Sequence, residues 1–113
     1  MEVQQLGSIE EVEEYDEHLE VTEFSKQVML AKVLGSETRL KIIKLLRKRR
    51  NDPEGGLDIT TLAYLLDQTE ANISAQCKKL EKAELINITY KPGGHGVRKI
   101  CQVDFKSIKF LLD

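Results

Sequence analysis

Residues 69–91 run Thr69-Glu70-Ala71-Asn72-Ile73-Ser74-Ala75-Gln76-Cys77-Lys78-Lys79-Leu80-Glu81-Lys82-Ala83-Glu84-Leu85-Ile86-Asn87-Ile88-Thr89-Tyr90-Lys91. Ile73, Cys77, Leu80 and Ala83 or Glu84 recur at i, i+4, i+7 and i+10 or i+11, the spacing of one apolar stripe along a helix. The opposite side carries Asn72, Ala75, Gln76, Lys79 and Lys82, with no large apolar group among them. Asn and Gln amides match the donor and acceptor edge of adenine, and Lys meets guanine or phosphate. One side therefore suits a core and the other a nucleic-acid groove. Thr69 is placed to cap the helix, and Glu70 stands near its positive pole. From Ile86 the period becomes two, with Ile86, Ile88 and Tyr90 set against Asn87, Thr89 and Lys91, as in a half-buried strand.

Upstream, Thr60 is the expected cap of a short helix. Ile59 and Tyr64 are spaced as a hydrophobic staple, and Leu62, Ala63, Leu65 and Leu66 form its buried side. Asp67 and Gln68 make a tight turn to Thr69, so the two helices have helix-turn-helix spacing. Ile59 is expected to add a one- or two-residue strand. Residues 51–58, rich in Asp, Pro and Gly, read as a loop. A helix capped by Ser36 precedes it, with Leu40, Ile43 and Leu46 inward, Ile42 and Leu45 flanking, and Lys41, Lys44 and Lys48 outward. Arg47, Lys48, Arg49 and Arg50 sit near its negative pole. Before Gly35, residues 22–34 form a first helix with Phe24, Val28, Ala31 and either Leu30 or Leu34 as its apolar side. Downstream, Pro92 to Gly96 is a hairpin tip, residues 97–104 return as the second strand, and residues 106–112 form a closing helix. The fold expected is mainly α with a small β-hairpin wing, a winged helix-turn-helix of about five helices and two to three short strands.

At 113 residues the chain is long enough for one core. The net charge of −2 hides an asymmetry: residues 1–23 hold nine of the 19 acids and no Lys or Arg, leaving ten acids against 17 bases in residues 24–113. An acidic arm (1–21) thus precedes a basic winged domain (22–113), and the basic body suits nucleic acid where the whole-chain balance does not. No apolar run approaches the ~18 residues of a membrane span, and the acidic start is unlike a signal peptide. The expected location is the cytoplasm, on the nucleoid, with no membrane partner. Cys77 and Cys101 lack zinc-site spacing, and neither His18 nor His95 completes a ligand set. Both cysteines are read as small buried hydrophobes, with a disulfide between them left open. No nucleophile stands beside a base, so no enzyme is expected.

The wing, 91–99, concentrates Lys91, His95, Arg98 and Lys99 around three glycines, suiting a phosphate backbone or a minor groove. The plainer alternative for these residues, and for Lys41 and Lys44, is a solvated surface.

Three strings carry a family likeness: Leu34-Gly35-Ser36-Glu37-Thr38-Arg39-Leu40-Lys41-Ile42-Ile43-Lys44-Leu45-Leu46, then 62–66, then 73–86. Over roughly residues 24–104 the chain resembles the ArsR-like winged-helix transcription regulators. The likeness implies a homodimeric, sequence-specific DNA-binding regulator, with repression the expected direction, its recognition helix (69–84) in the major groove. By position, Thr69, Asn72, Ser74, Ala75, Gln76 and Lys79 fall where the family contacts DNA, and Arg98 falls on the wing. Pairing is implied through the first and last helices. The family's metal sensors carry a Cys pair before the turn or Asp and His ligands in the last helix. Neither is present here, so no metal or other cofactor is expected. The alternative is a winged-helix protein-interaction module in which the acidic arm, or the basic face, binds a protein partner.

Overall fold

Ser36, Asp58 and Thr69 each stand in extended backbone just before a helix, and each accepts a hydrogen bond from the amide three residues on: Arg39 N at 3.3 Å, Thr61 N at 2.8 Å and Asn72 N at 3.1 Å. These caps satisfy amides that have no carbonyl partner within their helices. The computed structural model describes residues 18–113. In chain order these are β1 (His18–Val21), α1 (Phe24–Leu34), α2 (Glu37–Lys48), β2 (Leu57–Asp58), α3 (Ile59–Leu66), α4 (Glu70–Lys82), β3 (Asn87–Gly93), β4 (Gly96–Gln102) and β5 (Ser107–Phe110). Among the described residues there are thus four helices and five strands, fewer helices and more sheet than the sequence pattern implied.

The core is continuous across both layers. Leu30 of α1, Ile42 and Leu46 of α2, Leu62 of α3, and Ile73, Cys77 and Leu80 of α4 are fully buried, together with Ile100 and Cys101 of β4. Both cysteines are free thiols, and the hydrogen bond with Cys77, together with burial, pushes the Cys101 thiol well above its ordinary value. The three-stranded sheet runs β2-β4-β3 and is antiparallel throughout, with Leu57 opposite Cys101 and Gly93 opposite Gly96. Among the described residues no helix is long and apolar enough to cross a membrane.

The largest correction lies at the ends. Residues 106–112 do not close the fold as a helix. Ser107–Phe110 instead forms β5, parallel to β1, with Leu19 opposite Ile108 and Val21 opposite Phe110. Seven residues are too few for periodicity to separate a helical turn from a strand. The deciding contacts come from a segment 89 residues away: His18 Nδ1 and Ser107 Oγ lie 2.6 Å apart. Gln27, the one buried polar side chain among the described residues, seals the junction by donating Nε2–H bonds to Val21 O and Leu111 O, both at 2.8 Å. His18–Val21, read from sequence as the end of the acidic arm, is thereby drawn into the folded body.

Other departures are smaller. Asp58, not Thr60, caps α3, and Tyr64 is 83% exposed, so no staple forms with Ile59. The short strand is Leu57–Asp58, not Ile59. In α2, Ile42 is buried and Leu40 exposed. In α1, Leu30 is buried as one of the expected alternatives and Gln27 joins it, while Phe24, Val28 and Ala31 are exposed. The helix is rotated about its axis relative to its apolar pattern, and most of that pattern is left facing outward.

Two helix ends use the left-handed backbone. Asp67 ends α3 at φ 55°, as the turn requires of a non-glycine residue. Glu84 follows α4 at φ 62°, with Leu85 N bonded back to Leu80 O at 2.9 Å. That position favours glycine. Glu84→Gly is therefore expected to stabilise the protein by about 1 kcal/mol, read as a rise in thermal midpoint.

Candidate nucleic-acid interface

The two faces of α4 separate as its spacing requires. Ile73, Cys77 and Leu80 are fully buried and Ala83 nearly so, while Ala75, Lys79 and Lys82 are exposed and Asn72, Ser74 and Gln76 half-buried. Thr69 is exposed at the cap, and small Ala71 and Ala75 leave the backbone open to close approach. Glu70 accepts a bond from Thr60 Oγ1 at 3.3 Å, which fastens the start of α3 to the start of α4.

The amides of this face are joined in a row that sequence spacing does not reveal. Arg39 of α2 donates from Nη1 to Gln76 Oε1 at 2.7 Å. Gln76 Nε2 donates to Asn72 Oδ1 at 3.2 Å, and Asn72 Nδ2 donates to Gln68 Oε1 at 2.7 Å. Arg39 also donates to the carbonyls that end α1, at Val33 O (2.6 Å) and Lys32 O (3.4 Å). Arg39 and Gln68 were not among the expected site residues. The link between Arg39 and Gln76 spans 37 positions and has no local signature.

The wing hairpin turns through Gly94 and His95, which brings Lys91, His95 and Lys99 toward one end of the sheet. His95 and Lys99 are exposed and Lys91 is half-buried. Arg98 is differently placed. Its guanidinium bonds both Glu54 oxygens at 2.8 Å and reaches Asp58 Oδ2 at 2.8 and 3.2 Å. Two carboxylates neutralise it, so Arg98 ties the 51–58 loop to the wing and does not stand as an open cation. A cleft of about 380 Å³ separates the wing from the starts of α3 and α4, with Ser74, Ala71, Val97 and Lys99 on its walls.

The Arg98 cluster has a pH signature. The hydrogen bond from Arg98 holds the Glu54 carboxyl below its ordinary 4.5. Burial pushes Asp58 upward, but bonds from Thr61 and Arg98 outweigh it and leave the group below 3.8. Carboxylates with depressed folded values add stability that is complete above their unfolded values and is lost as pH falls through the folded ones. Acidification below about pH 4 is therefore expected to loosen the loop and the wing. Thermal melts at pH 7 and pH 3 should differ more for the wild type than for Arg98→Ala.

On α2, Lys41 pairs with Glu37 at 2.8 Å on the open surface, and Lys44 is exposed. Lys41, Lys44, Lys48 and Arg49 rim a second cleft whose apolar floor is Leu45, Leu65 and Leu66. Among the described residues no three His, Cys, Asp or Glu side chains converge as a metal site would require.

A capped two-helix turn, an outward polar helix face and an antiparallel hairpin beside it define a winged helix-turn-helix protein. Residues 36–87 match the family model described as bacterial regulatory protein, arsR family. Over that stretch the chain is similar to the regulators of that family. Solved structures share the fold. A transcriptional regulator homologue protein from Pyrococcus horikoshii OT3 is 23% identical, with TM-score 0.55 over 69% of this chain and 72% of that one. HlyU from Vibrio cholerae N16961 is 22% identical, with TM-score 0.51 over 71% and 76%. Comparison with curated proteins finds no match.

Proposed function

We propose that the protein is a homodimeric, sequence-specific repressor acting in the cytoplasm on the nucleoid. Helix α4 enters the major groove through Thr69, Asn72, Ser74, Ala75, Gln76 and Lys79. Lys91, His95 and Lys99 of the wing lie on the backbone or in the minor groove, and Lys41 and Lys44 reach flanking phosphates. Arg98 contributes by holding the wing in place. The observation that carries this reading is the outward face of α4, where exposed lysines flank two small residues that admit a base edge.

Self-association is supported by the exposed apolar residues of α1 and the C-terminus: Phe24 is 78% and Leu112 86% exposed, beside Val28 and Leu111. With β5 in place of a last helix, this pairing would use α1 and the β5 end of the chain. Two copies of α4 must then stand about 34 Å apart, one turn of B-DNA.

Selection of binding sites from randomised duplexes tests the reading. The wild type is expected to recover a two-fold related sequence. Gln76→Ala should relax base preference, while Lys44→Ala should weaken all duplexes about equally. A protein that recovers no sequence, or only binds DNA as a monomer, overturns the proposal.

A second reading is favoured by the cation-rimmed cleft between α2 and α3. The acidic arm, or an acidic partner protein, fits it by charge and by its apolar floor. If residues 1–17 occupy a surface that DNA needs, deleting them will tighten DNA binding at low salt; unchanged affinity discards the idea.

A further inference from the structure

We propose that Arg39, which lies outside the recognition helix, sets the base preference of this protein by fixing which way the groove-facing amides point. The inference rests on the regulator reading above and names the residue that decides its specificity.

The argument is one of hydrogen-bond polarity. An amide side chain can be turned end for end at little cost, because its oxygen and nitrogen are similar in size and only their partners tell them apart. A guanidinium has donors and no acceptor. With Arg39 Nη1 at 2.7 Å, the group of Gln76 facing it must be the oxygen. Gln76 Nε2 is then turned toward Asn72 and must meet an oxygen, Asn72 Oδ1 at 3.2 Å. Asn72 Nδ2 in turn faces Gln68 Oε1 at 2.7 Å. One cation thus orients three amides in series. Arg39 is itself held by Val33 O at 2.6 Å and Lys32 O at 3.4 Å, so its position follows the end of α1.

The consequence concerns what remains for DNA. Gln76 and Asn72 each keep one N–H proton and one carbonyl lone pair outside the row. Bidentate recognition of adenine needs an amide that offers its oxygen to N6–H and its nitrogen to N7. Guanine, with O6 and N7 both acceptors, and thymine O4 ask only for N–H donors. The row therefore leaves each amide one donor and one acceptor in a fixed sense, the pair that adenine N7 and N6–H require.

Binding-site selection with the full-length protein tests this. Wild type is expected to select adenine at the positions facing Asn72 and Gln76. Arg39→Gln, which can donate or accept and so lets the amides turn over, should lower the adenine-to-guanine affinity ratio by about fivefold or more, the lower end for one good base contact. Gln76→Glu is the companion variant. It keeps an acceptor for Arg39 and the Arg39 bonds to α1, but it cannot donate to Asn72 and so frees Asn72 Oδ1. It should bind all duplexes more weakly and lose adenine opposite Asn72, whose amide is then free to turn over. Thermal midpoints separate a loss of fold from a change of preference, and the companion variant decides the matter if Arg39→Gln does not fold. Guanine or thymine selected by the wild type, or wild-type preferences retained by Gln76→Glu, overturns the assignment. A wild type without any base preference removes the regulator reading itself, and this inference with it.

Discussion

Raising monovalent salt from 50 to 200 mM is expected to weaken duplex binding by about four orders of magnitude. The figure follows from counterion release: with ~8 phosphates neutralised by a dimer, the log–log slope is roughly −7. The exposed Lys79 and Lys82 on α4, Lys44 on α2 and Lys99 on the wing supply the positive side of this balance, with Lys41 and Lys91 near them. Arg98 does not add to it, because Glu54 and Asp58 already satisfy its charge. Replacing Lys44 by Ala should reduce the slope by about one unit. Equilibrium titrations at four or five salt concentrations measure both, and a binding constant insensitive to salt would exclude phosphate contact as the source of affinity.

Gly56→Ala is expected to cost about 3 kcal/mol or more, through overpacking that the backbone cannot relieve locally. A Cβ at this position would stand 2.0 Å from Cys101 O and 2.9 Å from the carbonyl carbon. Both atoms belong to β4, and Cys101 is the register partner of Leu57. The new methyl group therefore forces β2 off β4. Asp58 would move with it, releasing the cap of α3 and one of the two partners of Arg98. The thermal midpoint should fall by at least about 12 °C. Gly94→Ala is the control: nothing lies within 4 Å of the added atom, and the melt should be nearly unchanged.

Much of this architecture was legible before any coordinates. Ile73, Cys77 and Leu80 form the buried side of α4 as their spacing required, and Ser36 and Thr69 cap their helices as expected. The hairpin was marked by alternation and by glycine. Each of these signals acts within a few residues, where capping and hydrophobic period leave few alternatives. The candidate site was legible as a set of residue types only. That Gln76 and Asn72 share a row with Arg39, and that Arg98 faces two carboxylates, are contacts across 37 to 44 positions.

The sequence by itself therefore determined the capped turn, the two-faced helix, the wing and the charge asymmetry between residues 1–23 and the rest. Only tertiary structure decided the rest: β5 as the partner of β1, the outward apolar side of α1, Asp58 as a cap and the direction of the amide row. The physical reason is the same in each case. Short or ambiguous segments lack enough local free energy to choose a conformation, so the partner that packs against them chooses for them.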